Sequence, residues 1–208
     1  MVNPASPYAD RENDEFSHGL DCSTGDDQRA DRERYVIVET ELPDDGRLRD
    51  MVLPNLLPDF TFPQLPRAVE AIEFAFEAKR AAMGPHIVRR WGWDEAFQRE
   101  LHQRRFAEKP FFQIRKGEQP LGTLSFQVAV DHVRFGEFYL FPAHQGRGVG
   151  SIILRHCLAL ADRYGLPVRL EHLHWNPVGS LYRRHGFVEI GRSDIHAFME
   201  RPRSWGEL

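Results

Sequence analysis

The chain has 208 residues, is 41% hydrophobic and 28% charged, and carries a formal net charge of −4. These are values of a soluble globular protein of one domain with additions, or of two small domains. Its apolar runs are far shorter than a membrane span, and no basic segment followed by an apolar core opens the sequence, so the expectation is a cytoplasmic protein without membrane attachment. Cys22 and Cys157 are too few and too far apart for a disulfide framework or a cysteine metal site, and no metal is expected. Residues 1–34 hold nine of the 31 acidic residues and four of the 27 Lys and Arg, a local charge of −5. The remainder, with 22 acids and 23 bases, is close to neutral, which argues against a nucleic-acid partner.

Residues 1–34 are polar, Asp-rich and aperiodic, and cannot bury enough apolar surface to offset ordering; they read as a disordered acidic tail. Residues 35–59 read as an irregular arm. In it, Tyr35 to Thr40 has the β-branched character of a strand, followed by prolines at 43, 54 and 58 and an Asp-Asp-Gly turn. The domain is expected over residues 60–208. Phe60-Thr61-Phe62 alternates as a short strand stopped by Pro63 and Pro66. Arg67 to Met83 sets Val69, Ile72, Ala75, Phe76 and Ala82 on helical spacing, with Glu70, Glu73, Glu77, Lys79 and Arg80 between them. Gly84-Pro85 is expected to end this helix, leaving Trp91-Gly92-Trp93 in a loop as a pocket wall or an aromatic lid. Asp94 is an N-cap for a second helix running to about Phe106.

A β meander follows: Phe111 to Lys116, a turn at Gly117-Glu118-Gln119-Pro120, Leu121 to Val130, a turn at Asp131-His132, and Val133 to Phe141. The spacing predicts a helix over Val149 to Tyr164 that buries Ile153, Cys157, Leu160, Ala161 and Tyr164, which makes Cys157 a core residue before it is a nucleophile. Val168 to about His172 reads as a strand, and Asn176-Pro177 as the start of a short helix ended by Gly186. Phe187 to Ile190 and Ala197 to Arg201 close as an antiparallel pair. The order β-α-α-β-β-β-α-β-α-β-β is a mixed α/β (α+β) sheet with one crossover helix.

Between the third meander strand and the long helix lies Leu140-Phe141-Pro142-Ala143-His144-Gln145-Gly146-Arg147-Gly148-Val149-Gly150. Glycines at alternate positions there serve positive φ or close backbone approach. Consecutive amides at a helix start form an anion cradle reinforced by the helix dipole. A Walker loop requires Lys-Ser or Lys-Thr after its last glycine, and a dinucleotide fingerprint requires G-x-G-x-x-G; the sequence has neither.

Three segments in order carry a family likeness: Phe138-Tyr139-Leu140-Phe141-Pro142, the loop Gln145-x-x-Gly148-x-Gly150, and Asn176-Pro177-Val178-Gly179-Ser180-Leu181-Tyr182-Arg183-Arg184-His185-Gly186-Phe187. Over roughly Phe60 to Arg201 the chain resembles the GCN5-related N-acetyltransferase (GNAT) superfamily. Trp91-Gly92-Trp93-Asp94 and Asp194-Ile195-His196-Ala197-Phe198-Met199 are similar to an uncharacterised bacterial subset of it. The resemblance implies an acyl-CoA N-acyltransferase that moves acetyl from acetyl-CoA to a primary amine by direct attack in a ternary complex, with a small-molecule acceptor first. Protein N-terminal or lysine acetylation is the alternative, as is a non-catalytic acyl-CoA-binding module. Dimers are common in the family, and a homodimer is compatible with the sequence.

By resemblance, the main chain of Phe138, Tyr139 and Leu140 pairs with pantetheine at a strand bulge. The amides of Gln145, Gly146, Arg147, Gly148, Val149, Gly150 and Ser151 hold the pyrophosphate. Arg147 adds charge toward a phosphate or points to solvent. Asn176 bonds the pantetheine arm, caps a helix, or both. Tyr182 occupies the family's general-acid position; by spacing alone it is a core tyrosine. Glu171, five residues before Asn176, has the spacing of the base in relatives that acetylate ribosomal-protein amino termini. His172, His174, Glu137 or a water chain are the other candidates for the base.

Overall fold

A computed structural model describes residues 57–203; the expected tail and all but the last residues of the arm lie outside them. The elements are β1 (Phe60–Thr61), α1 (Val69–Trp91), α2 (Glu95–Glu108), β2 (Phe111–Lys116), β3 (Gln119–Val128), β4 (Val133–Leu140), a 3₁₀ turn (Pro142–His144), α3 (Val149–Tyr164), β5 (Val168–Leu173), α4 (Gly179–Arg184), β6 (Val188–Arg192) and β7 (His196–Arg201). The strands form one sheet in the order β1-β2-β3-β4-β5-β7-β6. Neighbours pair antiparallel except β4 and β5, which run parallel on either side of the α3 crossover.

The β4–β5 ladder has two rungs, Val133↔Val168 and Arg134↔Arg169. Beyond them the strands part. On its other edge β4 stays paired with β3, but there the register shifts. Thr123 faces Tyr139 and Ser125 faces Gly136, so Glu137 and Phe138 stand opposite Leu124 alone. This bulge holds Glu137 at φ 45, a left-handed conformation costing about 1–2 kcal/mol for a residue with a side chain. The Thr123 hydroxyl donates to the Glu137 carbonyl at 3.1 Å and ties the bulge to β3. Gly122, at φ 153, lets the two backbones meet: a Cβ there would lie 1.8 Å from the Tyr139 carbonyl oxygen.

One sheet face packs on α3. Phe126, Val133, Phe135, Leu140, Val168 and Leu170 join Ile153, Leu154, Cys157 and Ala161 in the main core. α1 and α2 cover the opposite face around Ala71, Ala75, Phe106 and Phe111. Asp94 caps α2 as expected, accepting from the Phe97 amide at 3.0 Å.

Three expectations are corrected. α1 does not end at Gly84-Pro85 but continues to Trp91 and stops at Gly92, φ 76. Tertiary contacts outweigh the proline penalty: Trp175 donates to the His86 carbonyl at 3.1 Å and meets Trp91 edge-on at 4.9 Å. Trp91 therefore belongs to a helix, and only Gly92 and Trp93 lie in the connection. Tyr164, the last residue of α3, is 52% exposed rather than buried. The α4 helix begins at Gly179, not at Asn176-Pro177, because the Asn176 side chain first closes a turn by accepting from the Val178 amide at 3.0 Å.

Candidate active site

The glycine loop connects β4 to α3 where β4 has left β5. Gly146 and Gly148 take φ 69 and 79, while Gly150 lies inside the first turn of α3. The alternate glycines thus serve two purposes. The first two bend the chain. The third allows approach, since a Cβ at Gly150 would stand 3.6–3.9 Å from Leu181, Leu140 and Phe138. Gln145 closes the loop from within, its side-chain amide donating to the Leu140 carbonyl at 2.7 Å. The first three amides of α3, Val149 to Ser151, have no acceptor inside the helix. Ser151 meets His185 Nε2 at 3.2 Å, which links this turn to the end of α4. Arg147 is exposed on the loop.

Phe138, Tyr139 and Leu140 lie on the part of β4 that β5 leaves uncovered. Alternation along the strand sends their side chains to different faces, and the bulge sets which face each takes. Phe138 and Leu140 lie with the α3 core, whereas the Tyr139 hydroxyl donates to Glu137 Oε2 at 2.9 Å on the α2 side.

Tyr182 is buried, with its ring 5.7 Å from both His172 and Phe187. Burial pushes its phenol well above the ordinary tyrosine range, so it stays protonated at neutral pH. Asn176 sits on the β5–α4 connection and donates to Met83 Sδ of α1 at 3.5 Å. Arg90 stacks over the Trp175 ring at 4.8 Å, and His174 meets Trp175 edge-on at 4.8 Å. The end of α1 and this connection therefore form one aromatic wall.

The candidate bases separate by face. Glu171 is on β5 just past the last rung, with Arg105 Nη2 at 3.8 Å and Arg134 Nη2 at 3.9 Å from its Oε1. Glu137 is buried; Lys109 reaches its Oε1 at 3.1 Å and Arg105 at 3.5 Å. Burial raises the Glu137 pKa, but Lys109, Arg105, Lys79 and the Tyr139 hydroxyl outweigh it and hold the carboxyl far below the usual carboxylate range. So firmly ionised a carboxylate is a poor proton acceptor. His172 lies on the opposite face under α4, where a Cβ on Gly179 would stand 3.0 Å from its Nε2. Its Nδ1 lies 2.8 Å from the Leu173 carbonyl and must donate to it, which leaves Nε2 as a bare, buried acceptor. His174 Nε2 is engaged by the Asp194 carbonyl at 2.9 Å.

The basic side chains around Glu137 and Glu171 escaped the sequence reading. Lys79 had been assigned to the polar side of α1, yet it is 2% exposed and contacts the Gln98 carbonyl at 3.4 Å. Burial, then Arg105, lower its pKa to about 7 despite Glu137. A signal was present: Lys79 follows Ile72, Ala75 and Phe76 at i+7, i+4 and i+3, the spacing of the buried stripe. Among the described residues no group of three His, Cys, Asp or Glu is arranged to hold a metal ion, and no helix is long and apolar enough to cross a membrane.

Residues 107–189 match the family described as "Acetyltransferase (GNAT) domain", a span running from the end of α2 to β6 and containing the bulge, the loop and α4. No curated protein matches the sequence. Among solved structures, a Pyrococcus horikoshii protein is similar at 19% identity, TM-score 0.56, over 70% of this chain and 99% of its own. The PaiA N-acetyltransferase of Thermoplasma acidophilum, solved with coenzyme A, is similar at 16% identity, TM-score 0.56, over 69% and 98%. A ribosomal-protein alanine N-acetyltransferase of Escherichia coli is similar at 17% identity, TM-score 0.50, over 72% and 98%. At such identities the likeness is one of fold. The family match falls on the same residues as the split β4–β5 pair and the glycine loop, so over residues 107–189 the chain matches the GNAT acetyltransferase domain, and its mixed sheet has the fold of such acetyltransferases.

Proposed function

We propose that the chain transfers acetyl from acetyl-CoA to a primary amine on a small molecule, by direct attack in a ternary complex. The observation that carries this reading is the bare edge of β4 at Phe138–Leu140, which leads straight into an amide-lined loop at the start of α3. An extended pantetheine chain would take the hydrogen bonds that β5 leaves unmade, and the amides from Gln145 to Ser151 would hold the pyrophosphate. Asn176 lies on the far bank of the gap and is the group assigned to the pantetheine arm. Glu171 is assigned as the base that takes the ammonium proton, so that the neutral amine attacks the thioester carbon. As the carbon–sulfur bond breaks, Tyr182 is assigned to deliver a proton to the departing sulfur. Burial keeps the phenol in the protonated form that a proton donor must start from.

The test is a thermal shift with acetyl-CoA, CoA and ATP, followed by thiol release with an amine library. Stabilisation by both CoA species and not by ATP is expected, and absence of it overturns the reading. Tyr182→Phe should lower kcat about 100-fold at unchanged CoA affinity. If the parent protein turns over no amine while binding CoA, the non-catalytic module is the better reading.

A further inference from the structure

On the α1–α2 face, where β4 and β5 part, Lys79, Arg105, Lys109 and Arg134 gather around Glu137 and Glu171. The charged groups acting on Lys109 are Glu137, Arg105, Arg134 and Glu171, so these side chains are one another's electrostatic environment. Among the described residues the group has four basic side chains and two carboxylates. Burial lowers the Lys79 pKa to about 7 and lowers that of Lys109 despite Glu137, so part of the positive charge is given up at neutral pH.

The group is also graded in depth. Side-chain exposure is 3% for Glu137 and 10% for Lys109, 13% for Arg105, and 22% and 28% for Glu171 and Arg134. The deep end is closed: Glu137 takes Lys109 on one oxygen and the Tyr139 hydroxyl on the other. The open end is looser. Arg134 stands 3.9 Å from Glu171, beyond hydrogen-bond reach, on the part of β5 that borders the gap. A guanidinium and a carboxylate side by side at the mouth present both signs to whatever enters.

We propose that the acceptor amine bears a carboxylate close to its nitrogen, as an α-amino acid does, with Arg134 receiving the carboxylate and Glu171 the ammonium group. This rests on the acetyltransferase reading and on Glu171 as its base. The planar guanidinium fork suits a carboxylate held by two parallel hydrogen bonds. Anchoring the acid at Arg134 turns the amine toward the gap beside β4.

The experiment measures thiol release with amino acids, their amides, their methyl esters and the corresponding decarboxylated amines. Free amino acids should exceed the other three forms by at least about 10-fold in kcat/KM. Arg134→Gln should remove that preference by raising KM for the amino acids, while kcat, the melting temperature and stabilisation by acetyl-CoA hold. Equal rates for acids and amides, a preference that survives Arg134→Gln, or no turnover of amino acids while acetyl-CoA still stabilises the protein would each overturn this proposal alone. Failure of acetyl-CoA to stabilise the parent protein overturns the acetyltransferase reading beneath it.

Discussion

β4 and β5 present two unlike faces to the molecule. Toward α3 they contribute Val133, Phe135, Phe138, Leu140, Val168 and Leu170 to an apolar core. Toward α1 and α2 the same strands present Arg134, Glu137, Tyr139 and Glu171, with ionic and hydrogen-bonded partners buried or half-buried. The first face is filled by shape and is satisfied as it stands. The second pairs charges that must stay matched, and near the gap it stays open to solvent. On these two strands the apolar core residues fall on one side and the charged ones on the other, with Glu137 and Phe138 at the bulge turned to opposite faces.

The contrast can be tested from both sides. Phe135 is 1% exposed, and Phe135→Ala should cost about 3–5 kcal/mol in urea unfolding through lost burial and the cavity left behind. A loss below about 1 kcal/mol would mean that the α3 face is not the stability core. Next in size is Glu137→Gln, which keeps the shape but removes the buried carboxylate charge that Lys109 and Arg105 share; a loss of about 3 kcal/mol is expected. The same substitution should change the acid limb of the stability curve. The folded-state pKa of Glu137 is depressed, so its contribution is complete above the unfolded carboxylate range and is lost as pH falls toward the folded value. Stability of the parent should therefore drop below about pH 4.3, and that of Glu137→Gln should drop less steeply.

Lys79 carries an effect that is read per unit of pH. Its pKa falls from 10.5 to about 7 on folding, so between those values the unfolded chain holds a proton that the folded chain has released. Stability should rise with pH across that window, by less than about 1.4 kcal/mol per unit, and level off below it. Lys79→Met should flatten the rise, as read by melting temperature from pH 7 to 10. An unchanged slope would remove Lys79 from the charged group.

Much of the fold was legible because its signals are local. Glycines, prolines and alternation marked β2, β4 and α3 to within a residue or so, and the Asp94 cap and the element order were as expected. α1 was misread at Pro85 because the contacts that extend it come from Trp175, some ninety positions further on. Of the proposed site, the alternate glycines marked the turn from β4 into α3, where Gly146 and Gly148 take positive φ. The side-chain parts of the site were less legible. Arg105, Lys109 and Arg134 look like ordinary solvated bases until α1, α2 and two strands are brought together, whereas Lys79 sits on the spacing of a buried stripe.

The two rungs between β4 and β5 have one more consequence. Along that line the sheet is a seam closed at one end and open at the other, with α3 stitching the two halves across it. An acyl donor lying in the opening as an added strand would lengthen the seam, so that the two halves of the sheet become fully continuous only around a ligand. The same missing hydrogen bonds that leave the apo sheet notched are those by which it would recognise what it binds.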